Sequence, residues 1–141
     1  MDDSVVDASV WVSRLLPPDT RHADTVGWFD RQEETGALYL GPSLVVCEVA
    51  GAIARQTGDA ERARRTTALL ARLPNLRLAS IDESLARDAA ELAATLRLRG
   101  ADAVYVAVAR RLDVPLVTWD AEQLQRGAAV VRVHRPTPAR A

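Results

Sequence analysis

Four acidic residues stand in apolar surroundings, where core packing gives no reason to place a charge. Asp7 follows the β-branched pair Val5-Val6, and Glu48 sits inside Leu44-Val45-Val46-Cys47-Glu48-Val49-Ala50. Asp102 follows Gly100-Ala101 at the head of the small, apolar run Ala103 to Ala109, and Asp120 closes Leu116-Val117-Thr118-Trp119. Neighbours of this kind pack inside a protein, so each carboxylate is expected at the rim of a core rather than in free water. An acid in the first turn of a helix is also favourable as a cap and toward the helix dipole, which would suffice for any one of them. Four in similar settings ask for more.

Carboxylates brought together repel, and the repulsion is costly where water is scarce unless protons or cations offset it. A hard divalent cation answers this directly. Magnesium takes oxygen ligands in octahedral geometry and keeps several waters, so two or three carboxylates can hold it and leave room for a phosphate oxygen and an attacking water. A bound ion lowers the pKa of water and neutralises charge growing on a phosphorane, and two ions about 3.5 to 4 Å apart divide those tasks. The chemistry that suits these residues is phosphodiester hydrolysis. Ser9 and Thr118 stand beside the acids, where a hydroxyl can orient a carboxylate or a water. Glu122, just after Asp120, is a further candidate for holding water near the ion, or it serves only the dipole of the helix it opens.

Positioning these groups falls to alternating strands and helices. Ser4-Val5-Val6, Ala37 to Leu40, Leu76 to Ser80, Leu116 to Thr118 and Ala129 to Val133 read as strands. Between them run a helix through Val10, Trp11 and Leu15, stopped by Pro17-Pro18, and a second, capped by Asp19 or Thr20, that turns Ala23, Val26, Phe29 and Trp28 inward and ends before Gly36. A third helix starts at Ser43 and runs to Arg55 and Gln56, before Gly58. A fourth starts at Asp59, with Ala63, Leu69, Leu70 and Leu73 inward. A fifth is capped by Asp82 and carries Leu85, Ala89, Leu92, Ala93 and Leu96 on one stripe; Gly100 opens the sixth, and Ala121 to Gln125 forms the last. This alternation predicts an α/β fold, a single domain over residues 1–134 with a central parallel sheet covered on both faces, and a flexible tail at 135–141. In such sheets ligands bind beyond the carboxyl ends of the strands. Asp7 and Asp120 sit at two of those ends, and Glu48 and Asp102 open helices on the same side, so the four acids are expected to converge on one rim.

Composition narrows the field. The chain of 141 residues is 48% hydrophobic and 26% charged, with a net charge of -1 and a pI near 6.1, which describes a folded domain without a bulk attraction to nucleic acid. Every cationic side chain is arginine, so any phosphate contact uses the guanidinium fork. Arg14, Arg97 and Arg99 are candidates for gripping phosphate near the acids, or they are solvent-facing helix ends. Cys47 has no partner cysteine, the acidic start Met1-Asp2-Asp3 is unlike a signal peptide, and no apolar run reaches membrane-spanning length, so a cytoplasmic protein is expected. His22 and His134 are given no catalytic part.

The set Val6-Asp7-Ala8-Ser9, Ser43 to Glu48, Gly100-Ala101-Asp102-Ala103 and Val117-Thr118-Trp119-Asp120 resembles the PIN (PilT N-terminus) domain, in particular the VapC toxins of bacterial toxin-antitoxin pairs. The likeness covers nearly the whole chain. It implies that Asp7, Glu48, Asp102 and Asp120 form an acidic quartet holding Mg²⁺ or Mn²⁺, supported by Thr118 or Ser9. The implied activity is endonucleolytic cleavage of RNA by water, leaving a 5′-phosphate and a 3′-hydroxyl. It further implies a homodimer inhibited by a small antitoxin whose tail enters the acidic groove, often with an arginine directed at the carboxylates. Trp119 is bulkier than is usual there; it stacks on a base or packs against the protein. Trp11 and Trp28 are candidates for the dimer face. A phosphorylation receiver module also carries acids at strand ends, but relies on a lysine this chain lacks. The alternative to a nuclease is a PIN-like module that binds RNA or protein without cutting.

Overall fold

The computed structural model describes residues 2–137. In chain order it contains β1 (Ser4–Val6), α1 (Ala8–Leu15), α2 (His22–Thr35), β2 (Tyr39–Pro42), α3 (Leu44–Thr57), α4 (Ala60–Ala71), β3 (Leu76–Ala79), α5 (Glu83–Leu96), α6 (Gly100–Leu112), β4 (Leu116–Val117), α7 (Ala121–Arg126) and β5 (Val133–His134), with a 3-10 turn at Gly127–Ala129. The strands form one sheet in the order β3-β2-β1-β4-β5, and every pairing is parallel. The mixed α/β architecture is thus the expected one. Val5 and Val6 are fully buried, as a central strand between two neighbours requires.

The chain leaves β1 toward β2 and β3 on one side and returns to β4 on the other, so the connections diverge between β1 and β4. Val5 registers with Leu116 and Val6 with Val117, and the Asp7 amide donates to the Val117 carbonyl at 3.0 Å, carrying the ladder past the end of β1. Such a divergence opens a crevice at the strands' carboxyl ends. Asp7 and Asp120 border it. α6 lies against β1, β2 and β4 and packs on α5; its run of alanines and valines from Ala103 to Ala109 permits this close approach. The Asp59 and Asp82 side chains cap α4 and α5 by accepting from the Arg62 and Leu85 amides. Gly36 and Gly58, at φ 70 and 69, end α2 and α3 in the left-handed region.

Several elements depart from expectation. β2 is Tyr39–Pro42 rather than Ala37 to Leu40, since its ladder with β3 begins with Tyr39 beside Leu76 and runs on to pair Pro42 with Ala79. Ser43 consequently enters α3 with helical backbone and no capping bond. α2 begins at His22, after Asp19 Oδ1 accepts from the Arg21 amide at 2.7 Å in a turn of its own. The last strand is Val133–His134, not Ala129 to Val133, since the Val130 and Val131 amides both fold back to the Gly127 carbonyl. Ala23 is exposed, and Leu69 is 67% exposed rather than inward.

The tryptophans expected at a dimer face are interior. Trp11 is 1% and Trp28 4% exposed, and both belong to an aromatic cluster with Phe29 and Tyr39 whose centroids lie 4.9 to 6.1 Å apart. Of the expected tail, Pro136 is buried, and residues 138–141 lie outside those described.

Candidate active site

Asp7 ends β1 and caps α1. Its Oδ2 accepts from the Ser9 amide at 3.2 Å and from the Thr118 hydroxyl at 3.0 Å, and the residue is only 6% exposed. Burial drives its pKa up, against the pull of the Ser9 and Thr118 hydrogen bonds, and Asp120 adds a smaller push in the same direction. Asp120 does after β4 what Asp7 does after β1: it caps α7, its Oδ1 accepting from the Glu122 amide at 2.8 Å. The two caps are joined through Thr118, whose Oγ1 accepts from the Asp120 amide at 3.0 Å while lying beside Asp7 Oδ2. Ser9 completes the link, its Oγ accepting from the Trp119 amide at 3.1 Å.

Glu48 and Asp102 enter from helices. Glu48 lies one turn into α3, and its Oε1 accepts a 2.6 Å hydrogen bond from the Tyr105 phenol of α6. Burial raises the Glu48 pKa, the Tyr105 hydrogen bond partly offsets this, and Asp7 adds to the rise. The phenol, buried near Asp7 and Glu48, is itself pushed up, so it stays protonated and remains a donor. Asp102, in the first turn of α6, is raised to about 6, first by burial, then by Asp120 and Asp7, with Arg99 pulling the other way. Arg99 Nε stands 3.8 Å from Asp102 Oδ2, but its side chain is 79% exposed, which leaves that pull weak.

All four acids line one cleft of about 580 Å³, together with Ser9, Arg21 and Arg55. Carboxylates outnumber guanidiniums on its wall, so it is short of positive charge. Oxygen donors of this kind fit Mg²⁺ or Mn²⁺. Among the described residues, however, no three acidic, histidine or cysteine side chains stand close enough to enclose an ion. An ion held here would keep several waters, with no more than two of these carboxylates bound to it directly.

The other expected site residues are placed unevenly. Thr118 is fully buried and Ser9 lines the cleft. Glu122 pairs with Arg126 at 3.7 Å, outside the cleft-lining set. Arg14 stacks on Phe29 at 4.3 Å, away from the cleft, and Arg97 is a left-handed C-cap whose carbonyl accepts from Arg126. Trp119 packs against the protein: its Nε1 donates to Thr25 Oγ1 at 3.0 Å and Arg21 covers its ring. His22 Nδ1 meets the Ser13 carbonyl, and neither histidine lines the cleft.

Sequence reasoning missed Tyr105, Gln123, Arg21 and Arg55. Gln123 is fully buried; its amide bridges the Thr118 hydroxyl at 2.6 Å and the Asp102 carbonyl at 3.4 Å, tying the end of β4 to the start of α6. A polar residue inside the short helix after Asp120 was the available signal, but its partners are defined only by the fold.

Comparison with known proteins follows the same lines. No curated protein sequence matches the chain. Among solved structures, VapC20 of Mycobacterium tuberculosis, described as a Sarcin-Ricin loop cleaving toxin, is similar over 99% of this chain and all of its own, with a TM-score of 0.72 and 20% identity. VapBC2 of Rickettsia felis, bound to a promoter DNA fragment, aligns over 94% of this chain and 97% of that one, at a TM-score of 0.69 and 12% identity. FitAcB of Neisseria gonorrhoeae aligns over 94% and 96%, at 0.69 and 20% identity. At such identities these likenesses speak for the fold. The family model of the PIN domain matches residues 4–129, which spans the sheet's first four strands and all four acids, and the chain belongs to the PIN domain family.

Proposed function

We propose that the protein is a metal-dependent endoribonuclease acting as the toxin of a toxin-antitoxin pair. The observation that carries this is the convergence of Asp7, Glu48, Asp102 and Asp120 on one cleft, with raised pKa values at Asp7, Glu48 and Asp102. Burial first, and the neighbouring carboxylates to a lesser degree, disfavour the charged forms, and a cation would offset both. Bound there, Mg²⁺ or Mn²⁺ would activate water and offset charge developing on the phosphate. Asp7, Glu48, Asp102 and Asp120 are the residues that would hold it. Thr118 and Ser9 fix the orientation of Asp7, Tyr105 fixes that of Glu48, and Gln123 holds the start of α6 against β4 so that Asp102 keeps its place. The products are a 5′-phosphate and a 3′-hydroxyl.

Similarity to a toxin described as cleaving the Sarcin-Ricin loop supports RNA as the substrate, and similarity to toxin-antitoxin assemblies supports a small inhibitory partner. A homodimer working in the cytoplasm completes the reading. Purified protein incubated with a mixed RNA pool is expected to cut it with Mg²⁺ or Mn²⁺, not with EDTA, and to lose at least a hundredfold in rate as Asp102→Asn, the scale of losing a group that stabilises a transition state. Cleavage that persists in EDTA or in the variant would remove the acidic cleft from the reaction.

A further inference from the structure

We propose that Arg21 and Arg55 form a two-point clamp that grips the RNA backbone beside the phosphodiester being cut. The proposal rests on the nuclease reading above and assigns a binding role to residues outside the acidic quartet. Both arginines line the acidic cleft. Neither belongs to an ion pair among the described residues, whereas Arg99 pairs with Asp102 and Arg126 with Glu122.

Helix capping does not explain Arg21. It occupies the N-cap of α2, where Ser, Thr, Asp or Asn is preferred and where the helix dipole disfavours a cation; it makes no capping side-chain bond. Its guanidinium lies instead 5.1 Å from the Trp119 ring centroid. That ring is held at its edge: Trp119 Nε1 donates to Thr25 Oγ1 at 3.0 Å, and Thr25 Oγ1 meets Ser13 Oγ at 2.8 Å, with Ser13 and Thr25 both buried. Trp119 directly precedes Asp120. The stack therefore fixes a positive charge relative to one of the four acids, and stacking leaves the guanidinium's N–H edge free for phosphate oxygens.

Arg55 approaches from α3. It follows Glu48 by two helical turns, about 10 Å along the axis, so it shares the acid's face of the helix a short length of backbone away. Its guanidinium folds back over Gly51, where a Cβ would stand 3.2 Å from Nη1. A glycine inside a helix costs stability relative to alanine; here it leaves a bed for the arginine. Position in the last turn of α3 suits any cation, but does not require one laid along the cleft wall. An ion bound among the acids would lower the cleft's negative charge, leaving Arg21 and Arg55 as cationic contacts for the phosphates of a bound chain.

The test is fluorescence anisotropy of a labelled single-stranded RNA with the full chain in Ca²⁺, the RNA checked for intactness, across a salt series. Arg21→Ala and Arg55→Ala are each expected to weaken binding roughly tenfold, and to reduce the slope of log Kd against log salt by about 0.7, the value of one phosphate contact on a single strand. Arg21→Lys is expected to keep most of the slope but not the affinity, because the amine cannot stack and fork at once. Arg72→Ala, which removes an exposed charge outside the cleft-lining set, is the control and should leave both unchanged. Unchanged affinity and slope in both cleft variants would overturn the clamp, as would an equal loss in Arg72→Ala. Wild-type protein that neither binds nor cuts RNA would sink the nuclease reading first, and the clamp with it. Both arginines are exposed, so matching thermal unfolding curves would exclude misfolding.

Discussion

Thr118 has one proton and two acceptors within reach, Asp7 Oδ2 at 3.0 Å and Gln123 Oε1 at 2.6 Å, while its oxygen accepts from the Asp120 amide. A hydroxyl placed this way couples two strand ends to one helix, and no local sequence signal reveals it, because Asp7 lies 111 residues away. Tyr105 is similar: within α6 it reads as one more apolar position, and only the fold brings its phenol to Glu48 across 57 residues. The acids themselves were legible, since a carboxylate after a β-branched run needs no partner to look misplaced. Their burial has a consequence for stability. Asp102 titrates near 6 in the folded protein against an ordinary 3.8, so the folded state binds more protons between those values. In EDTA, stability should therefore fall as pH rises from about 4 to about 6 and level off above, by on the order of 2 kcal/mol from this residue after allowance for solvent screening. Asp7 and Glu48 are raised too and act in the same direction. Asp102→Asn should recover that amount at pH 7.5 in chemical denaturation. A variant less stable than wild type under those conditions would contradict it.

Among the elements, N-caps separate positions that only fold from positions that also belong to the site. Asp59, Asp82, Asp7 and Asp120 all cap helices through their side chains. Only the last two stand at strand ends bordering the cleft. Asp82→Ala is expected to cost about 1 kcal/mol of stability and leave cleavage unchanged. Asp120→Ser keeps a capping oxygen and should cost less stability, yet abolish cleavage; activity in that variant would confine Asp120 to capping. Cap chemistry made the starts of α4 and α5 and the glycine ends of α2 and α3 readable from sequence. The last strand was not readable, because Ala129 to Val133 has strand composition while the Val130 and Val131 amides turn back to the Gly127 carbonyl.

For the whole molecule, the parallel sheet sets the position of the cleft by placing β1 and β4 side by side where the connections diverge. Alternation of strand and helix was enough to expect that sheet, but composition could not say which large apolar residues lie outside. Trp11 and Trp28 are sealed in an aromatic cluster, while Leu69 at 67% and Leu112 at 49% face outward, because one side of each helix must. Among the described residues no helix is long and apolar enough to cross a membrane. The central claim is that four carboxylates from separate elements act as a single cation site. Calorimetric titration of Mn²⁺ into the wild type and into Asp7→Asn, Glu48→Gln, Asp102→Asn and Asp120→Asn at pH 7.5 tests it most directly. The expected result is saturable binding by the wild type and at least a tenfold weaker affinity in every variant, since each removes one charge from a shared site. Wild-type affinity retained in all four, or no binding by the wild type, would contradict it.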